Sequence, residues 1–92
     1  MDEPWDPVKA RQNLRKHGVS FEEAVTLEND GHALATPDAL HSREEKRFNV
    51  VGTSIKGRIL HVTCTYRNGR MRPISARRAS KRECHEYQYG PR

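Results

Sequence analysis

Two periodicities divide the chain, a helical spacing in its first quarter and a strict alternation through its second half. Pro7, Ala10, Leu14 and His17 recur at intervals of three and four, which predicts a helix that turns one face to a core. Both ends of that helix are marked. Asp6 offers a carboxylate to the free N–H groups of the first turn, and Pro7 at the first helical position loses no hydrogen bond. Lys16 and His17 suit the negative end of the dipole, and Gly18 suits a left-handed cap. The next residues, "SFEE", read as a capping box in which Ser20 and Glu23 satisfy each other's backbone donors. A second short helix follows, with Phe21, Ala24 and Val25 as its apolar face.

Asn29-Asp30-Gly31 is a turn signal; 33–36 reads as a brief strand and 37–46 as an exposed loop. Alternation then takes over. Phe48 and Val50 share a face in 47–52; Leu60, Val62, Cys64 and Tyr66 share one in 59–66; a third strand covers 71–76. Asn68-Gly69 is the strongest hairpin signal, and Pro73, which has no N–H to give a ladder, belongs at a sheet edge. A second capping box, Ser80-x-x-Glu83, starts a last helix that runs to about Tyr89 before Gly90-Pro91. The expected fold is α+β: a small antiparallel sheet with two N-terminal helices and a C-terminal helix, all on one side, leaving the opposite sheet face free to bind. The 92 residues make one domain, 1–92, with a modest core.

Composition narrows the classes. Hydrophobic residues are 34% and charged residues 32%, polar for a globular chain, yet the apolar residues sit in patterned segments, so a folded domain is expected. No apolar run approaches the roughly 20 residues that cross a bilayer, and "MDEPWDP" is acidic where a secretory signal is basic and then apolar. A soluble cytoplasmic protein with no membrane partner is expected. Cys64 and Cys84 are the only cysteines and no CxxC occurs, which fits two reduced thiols and excludes a zinc ribbon. Charge is polarised. Residues 1–46 carry 6 Lys/Arg against 10 Asp/Glu, a net of −4, whereas 47–92 carry 11 against 2, a net of +9. A basic half on a small domain is the electrostatic footprint of a polyanion partner.

The five histidines show neither HxH nor HxxxH spacing, and Glu44-Glu45 has no second acidic cluster, so no metal site is expected. P-loop, dinucleotide and G-x-S-x-G motifs are absent, so no cofactor is expected either. The remaining polar set suits RNA cleavage. Attack of a ribose 2′-OH on the adjacent phosphate needs a base, an acid and cations that hold the developing charge. Glu44, Glu45, His17, His41 and His61 are candidate proton carriers; Arg58, Arg67, Arg72, Arg77 and Arg78 are candidate phosphate clamps, since a planar guanidinium holds two oxygens at once. Plainer roles compete: Lys16 and His17 neutralise a helix end, Glu44 to Arg47 form a solvated ionic loop, and Trp5 anchors the core. Arg77 and Arg78 resist such dismissal, because they precede a helix N-terminus where Lys81 and Arg82 also oppose the dipole. A non-catalytic module that binds nucleic acid or an acidic partner fits the same charge pattern.

The blocks "WDPVKARQNLRKHGVSFEEA", "PDALHSREEKRFNVVG", "GRILHV" and "RPISARRASKRECHEY" resemble, in this order and spacing, the BrnT family of ribonuclease toxins from bacterial toxin-antitoxin modules. The resemblance implies a RelE-like fold and a cytoplasmic, metal-independent endoribonuclease that arrests translation. It also implies a BrnA-type antitoxin with a ribbon-helix-helix domain, and promoter DNA bound through the toxin–antitoxin complex. Matching positions include Lys9, Asn13, Gly18, His41, Ser42, Glu44, Glu45, Arg47, Gly52, Arg58, Arg72, Arg77, Glu83 and Tyr87. Ranked by chemistry, the expected catalytic residues are Arg77, Arg58, Arg78, Lys16, His17 and Glu45, with Arg47, Arg67, Arg72, Lys81 and Arg82 binding RNA. Arg58, Arg72 and Arg77 would line one concave sheet face that the antitoxin covers. His61 and Cys64 depart from the family, which usually has an aliphatic run and then a histidine or aromatic residue there.

Overall fold

A computed structural model describes residues 3–90. Helix α1 (Pro7–His17) leads through Gly18 to α2 (Phe21–Ala24), which tightens into a 3-10 turn over Val25–Asn29. Strands β1 (Leu34–Pro37), β2 (Phe48–Thr53), β3 (Ile59–Arg67) and β4 (Arg70–Arg78) then form one antiparallel meander in chain order, and α3 (Lys81–Tyr89) closes the fold. The expected α+β class and helix starts are found. Pro91 of the predicted C-terminal stop lies outside the described residues.

The local signals work where they are purely local. Asp6 Oδ1 accepts from the N–H groups of Val8 (2.9 Å) and Lys9 (3.3 Å), and Gly18, at φ 70°, caps α1 by donating to the Leu14 carbonyl. The capping box of α3 is complete: Ser80 Oγ accepts from Glu83 N–H while Glu83 Oε1 accepts from Ser80 N–H. The box at α2 is only half made. Ser20 Oγ accepts from Glu23 N–H at 3.0 Å, but the Glu23 carboxylate is turned inward, to the Ser54 hydroxyl (2.6 Å) and Arg58.

Helix α1 turns only part of its predicted apolar face inward, with Ala10 against the core and His17 half-buried. Leu14 is 51% exposed, whereas Asn13 is 7% exposed. Its Nδ2 donates to the carbonyls of Val19 (2.9 Å) and Ala76 (2.8 Å), and its Oδ1 accepts from Ala76 N–H (2.9 Å). Strand β4 ends the sheet, so its outer backbone groups need partners; the Asn13 amide supplies a donor and an acceptor as a fifth strand would. Pro73 sits on this edge strand as expected. Thr63 pairs with Ser75 and Cys64 with Pro73, so Ile74 bulges out between them.

Val19, Phe21, Ala24 and Leu27 pack against Val50, Leu60, Val62, Cys64, Met71 and Ala76, and the Trp5 ring meets Phe21 edge-on at 6.0 Å. All of these strand residues point to one side. The register sets their alternates, Leu34, Val51, His61 and Arg77, in a row on the opposite face. There the structure departs from the expected segregation of helices, because Glu83 of α3 reaches Arg77 and His61 in that row. Helix α3 has no buried residue and is held by polar anchors. At its far end the Tyr87 hydroxyl bonds Thr53 Oγ1 (2.9 Å) and the Asp30 carboxylate. Among the described residues no helix is long and apolar enough to cross a membrane.

Candidate functional site

A cleft of about 610 Å³ opens between the N-terminus of α1, the 38–47 segment and the hairpin end of β3 and β4. Lys9, Arg43, Arg47 and Arg72 line it together with His41, Glu44 and Glu45. Each part is delivered by a different element. Asp6 and Pro7 fix the first turn that carries Lys9, strand pairing of Thr65 with Arg72 brings the latter to the floor, and the 38–47 segment supplies the rest.

That segment is the loop predicted from its polarity, but it is closed by its own hydrogen bonds. Asp38 N–H donates to the Arg47 carbonyl (2.8 Å), Ser42 Oγ donates to the Asp38 carbonyl (2.6 Å), and Arg47 N–H donates to Ser42 Oγ (2.9 Å). The first and last residues are thus tied through Ser42, and the side chains between them project into the cleft. His41 Nδ1 lies 3.0 and 3.1 Å from the two carboxylate oxygens of Asp38. Glu45 is held in a two-point pair by Arg67, at 2.8 and 3.1 Å, and this hydrogen bonding keeps its carboxyl below the ordinary range. Arg72 donates to the Glu3 carbonyl. Among the described residues, the side chains of Lys9, Arg43 and Arg47 have no hydrogen-bond or ion-pair partner. An anion entering the cleft would find cations not already neutralised.

The other expected residues lie toward the opposite end of the sheet. Arg77 forms a two-point pair with Glu83 at 2.8 and 2.9 Å. Hydrogen bonding from Arg77, reinforced by Ser80 N–H, draws the Glu83 carboxyl down to about 2. His61 Nε2 is 3.8 Å from Glu83, and burial, aided by the Arg77 charge, pulls its pKa below the usual value. Arg58 instead turns toward the N-terminal helices. Its Nε donates to Glu23 Oε2 at 2.9 Å, its Nη2 reaches Glu23 Oε1, and the same nitrogen donates to the Gly18 carbonyl at 3.2 Å. Lys16, Arg78 and Lys81 are exposed, His17 is half-buried, and Arg82 pairs with Glu86 at 3.2 Å.

The structure therefore brings Glu45, Arg47, Arg67 and Arg72 together and holds Arg58, Arg77, Arg78, Lys16, His17, Lys81 and Arg82 apart from them. Arg72 and Arg77 lie on the same sheet face but at opposite ends of β4, opposite Thr65 and His61, whereas Arg58 turns away to Glu23. Lys9 and Arg43 were not singled out for the site, although Lys9 is one of the positions that match the family and Arg43 lies inside the block "PDALHSREEKRFNVVG". Several positions that carry the resemblance now have structural duties: Asn13 pairs the β4 edge, Gly18 caps α1, Arg58 neutralises Glu23, and Tyr87 anchors α3. A Cβ on Gly52 would lie 3.0 Å from Ala33 Cβ and 3.2 Å from Leu27 Cγ. Lys9, His41, Glu44, Glu45, Arg47 and Arg72 have no comparable duty and line the cleft. Among the described residues no group of three or more His, Cys, Asp or Glu side chains could hold a metal ion.

The model of a family described as ribonuclease toxin, BrnT, of type II toxin-antitoxin system matches residues 5–83. Among solved structures, the crystal structure of the Brucella abortus ribonuclease toxin BrnT resembles this fold with a TM-score of 0.64 and 26% sequence identity. The likeness covers 84% of this chain and 94% of that one. No curated protein sequence matches. The family match runs from the core anchor Trp5 to Glu83 in the first turn of α3, through the whole sheet and the cleft, and the chain belongs to the BrnT family of ribonuclease toxins of type II toxin-antitoxin systems.

Proposed function

We propose that this toxin cleaves RNA in the cytoplasm, in the cleft between α1 and the 38–47 segment, by a metal-independent attack of a ribose 2′-OH on the adjacent phosphate. The observation that carries the reading is the gathering of unneutralised cations, Lys9, Arg43 and Arg47, around His41 and two glutamates in one open cleft. Arg47 and Arg72 hold the non-bridging phosphate oxygens, where a guanidinium fork gives two parallel hydrogen bonds to charge that grows in the transition state. Lys9 and Arg43 receive the flanking phosphates. Glu45, anchored by Arg67, stays charged and positions a ribose hydroxyl as an acceptor. Arg78, Lys16 and Lys81, exposed at the far end, contact the RNA backbone beyond the cleft. Arg77 acts through Glu83 to fix the start of α3.

A ribbon-helix-helix antitoxin of the BrnA type silences the toxin by covering the cleft, and the pair represses its own promoter. The cleft cations without an ion-pair partner among the described residues, Lys9, Arg43 and Arg47, favour an acidic segment of the antitoxin as the cover.

Purified toxin is incubated with RNA in the presence of a chelator and the new ends are mapped. The reading expects 2′,3′-cyclic phosphate and 5′-hydroxyl termini, suppressed by the antitoxin. Binding without cleavage, or ends bearing a 3′-hydroxyl that require added divalent ion, would overturn it.

A further inference from the structure

Histidine 41 stands out among the cleft residues because its orientation is fixed by a carboxylate. The Asp38 side chain is 15% exposed and, among the described residues, its carboxylate has His41 as its one hydrogen-bond partner, while the His41 side chain is 64% exposed and lines the cleft. The hydrogen bonds that close the loop use the backbone of Asp38, its N–H to Arg47 and its carbonyl to Ser42, and leave the carboxylate out. With Nδ1 facing a carboxylate, Nδ1 carries the proton and Nε2 presents a lone pair. Glu45 cannot match this group as a base, since Arg67 occupies its carboxylate.

We infer that His41 is the general base of the cleavage and that Asp38 is its positioning residue, a carboxylate–imidazole dyad built on one turn of the 38–47 loop. This inference rests on the ribonuclease reading of the cleft. Nε2 of His41 takes the proton of the 2′-OH as the bond from that oxygen to phosphorus forms. The bond from phosphorus to the 5′-oxygen breaks, and the leaving oxygen takes a proton from water, which the open cleft admits. The imidazolium formed in this step is stabilised by Asp38 and later returns its proton to solvent. The products are a 2′,3′-cyclic phosphate and a 5′-hydroxyl.

The test measures kcat and KM separately for the wild type, His41→Ala and Asp38→Asn on a short RNA, and repeats them on the same RNA with sulfur in place of the scissile 5′-oxygen. Sulfur leaves without a proton, so it relieves the loss of an acid but not the loss of a base. His41→Ala is expected to lower kcat by about 10²- to 10⁴-fold with little change in KM or thermal stability, on both substrates. Asp38→Asn, which keeps the backbone bonds of the loop, is expected to lower kcat by at least about tenfold with KM unchanged. If the wild type cleaves and His41→Ala has the same kcat, the dyad is wrong and the ribonuclease reading stands. Restoration of His41→Ala by the sulfur substrate makes His41 an acid and overturns its assignment as base. If the wild type cleaves neither substrate, the ribonuclease reading itself fails.

Discussion

Glu23 and Arg58 form an ion pair whose acidic member is enclosed: the Glu23 side chain is 1% exposed, that of Arg58 25%. Arg58 approaches with Nε at 2.9 Å, Ser54 Oγ donates at 2.6 Å, and Arg58 also closes over the Gly18 carbonyl at the end of α1. One arginine thereby joins the start of β3 to the junction of α1 and α2. Removing it leaves a charge in the interior with a single hydroxyl partner. Glu23→Gln is expected to lower unfolding free energy, because Arg58 keeps its charge and loses its counter-ion. Denaturant unfolding checks this. Arg58→Ala is expected to lose toxicity together with stability, and the two losses should track each other.

Glu83 links stability to pH. Its folded carboxyl is held at about 2 against 4.5 in the unfolded chain. A depressed folded value means the pair with Arg77 contributes fully above pH 4.5, and the contribution is lost as pH falls from there through 2. Solvent screening at Arg77, whose side chain is 41% exposed, brings the contribution to on the order of 2–3 kcal/mol, below the roughly 3.4 kcal/mol of the unscreened difference. Glu83→Gln should therefore be less stable than the wild type at pH 7 and show a flatter stability curve between pH 5 and about pH 2. Equal slopes in acid titrations of the two proteins would refute the assignment.

Cleft cations should act on RNA without acting on the fold. Arg47→Ala and Lys9→Ala remove side chains that have no hydrogen-bond or ion-pair partner among the described residues, so the change in melting temperature is expected to be small. Each should weaken RNA binding and reduce the slope of log affinity against log salt by about 0.7, the value for one contact to a single strand. Titration at several salt concentrations measures it.

The two thiols should differ in reactivity. Cys64 is fully buried beside Phe48 and Val62, and that burial pushes its thiol up to about 11, whereas Cys84 is half-buried on α3. A chromogenic disulfide reagent at pH 8 is expected to label Cys84 in the folded protein and Cys64 only after unfolding.

What could be read in the sequence followed the range of the interaction. Asp6, Gly18, Ser80 and Glu83 act within four residues of themselves, and their signals were legible. Glu23 was read as half of a capping box because Ser20 is three residues away, but Arg58, thirty-five residues on, competes for the same carboxylate and wins by charge. Asn13 lies outside the apolar spacing that predicts α1; its value lies in the Ala76 backbone, sixty-three residues away. Arg77 and Arg78 looked like the site because they precede a helix start, where Lys81 and Arg82 oppose the dipole, yet Glu83 answers Arg77 and the cleft lies at the other end of β4. That cleft depends on the 38–47 segment folding back through Asp38, Ser42 and Arg47, which no periodicity announces. Side-chain chemistry names His41, Glu44, Glu45, Arg67 and Arg72, and the family likeness adds Lys9 and Arg47, but neither sets them in one cleft.

Cleavage of RNA by two folded variants separates the candidate locations most directly. Arg47→Ala with Arg72→Ala removes the two forks assigned to the scissile phosphate, and Arg78→Ala with Lys81→Ala removes exposed charge from the far end. The account predicts that the first pair lowers the cleavage rate by at least about 10²-fold with a native melting profile, while the second leaves kcat near the wild-type value. Full activity in the cleft variant and loss in the far-end variant would contradict it.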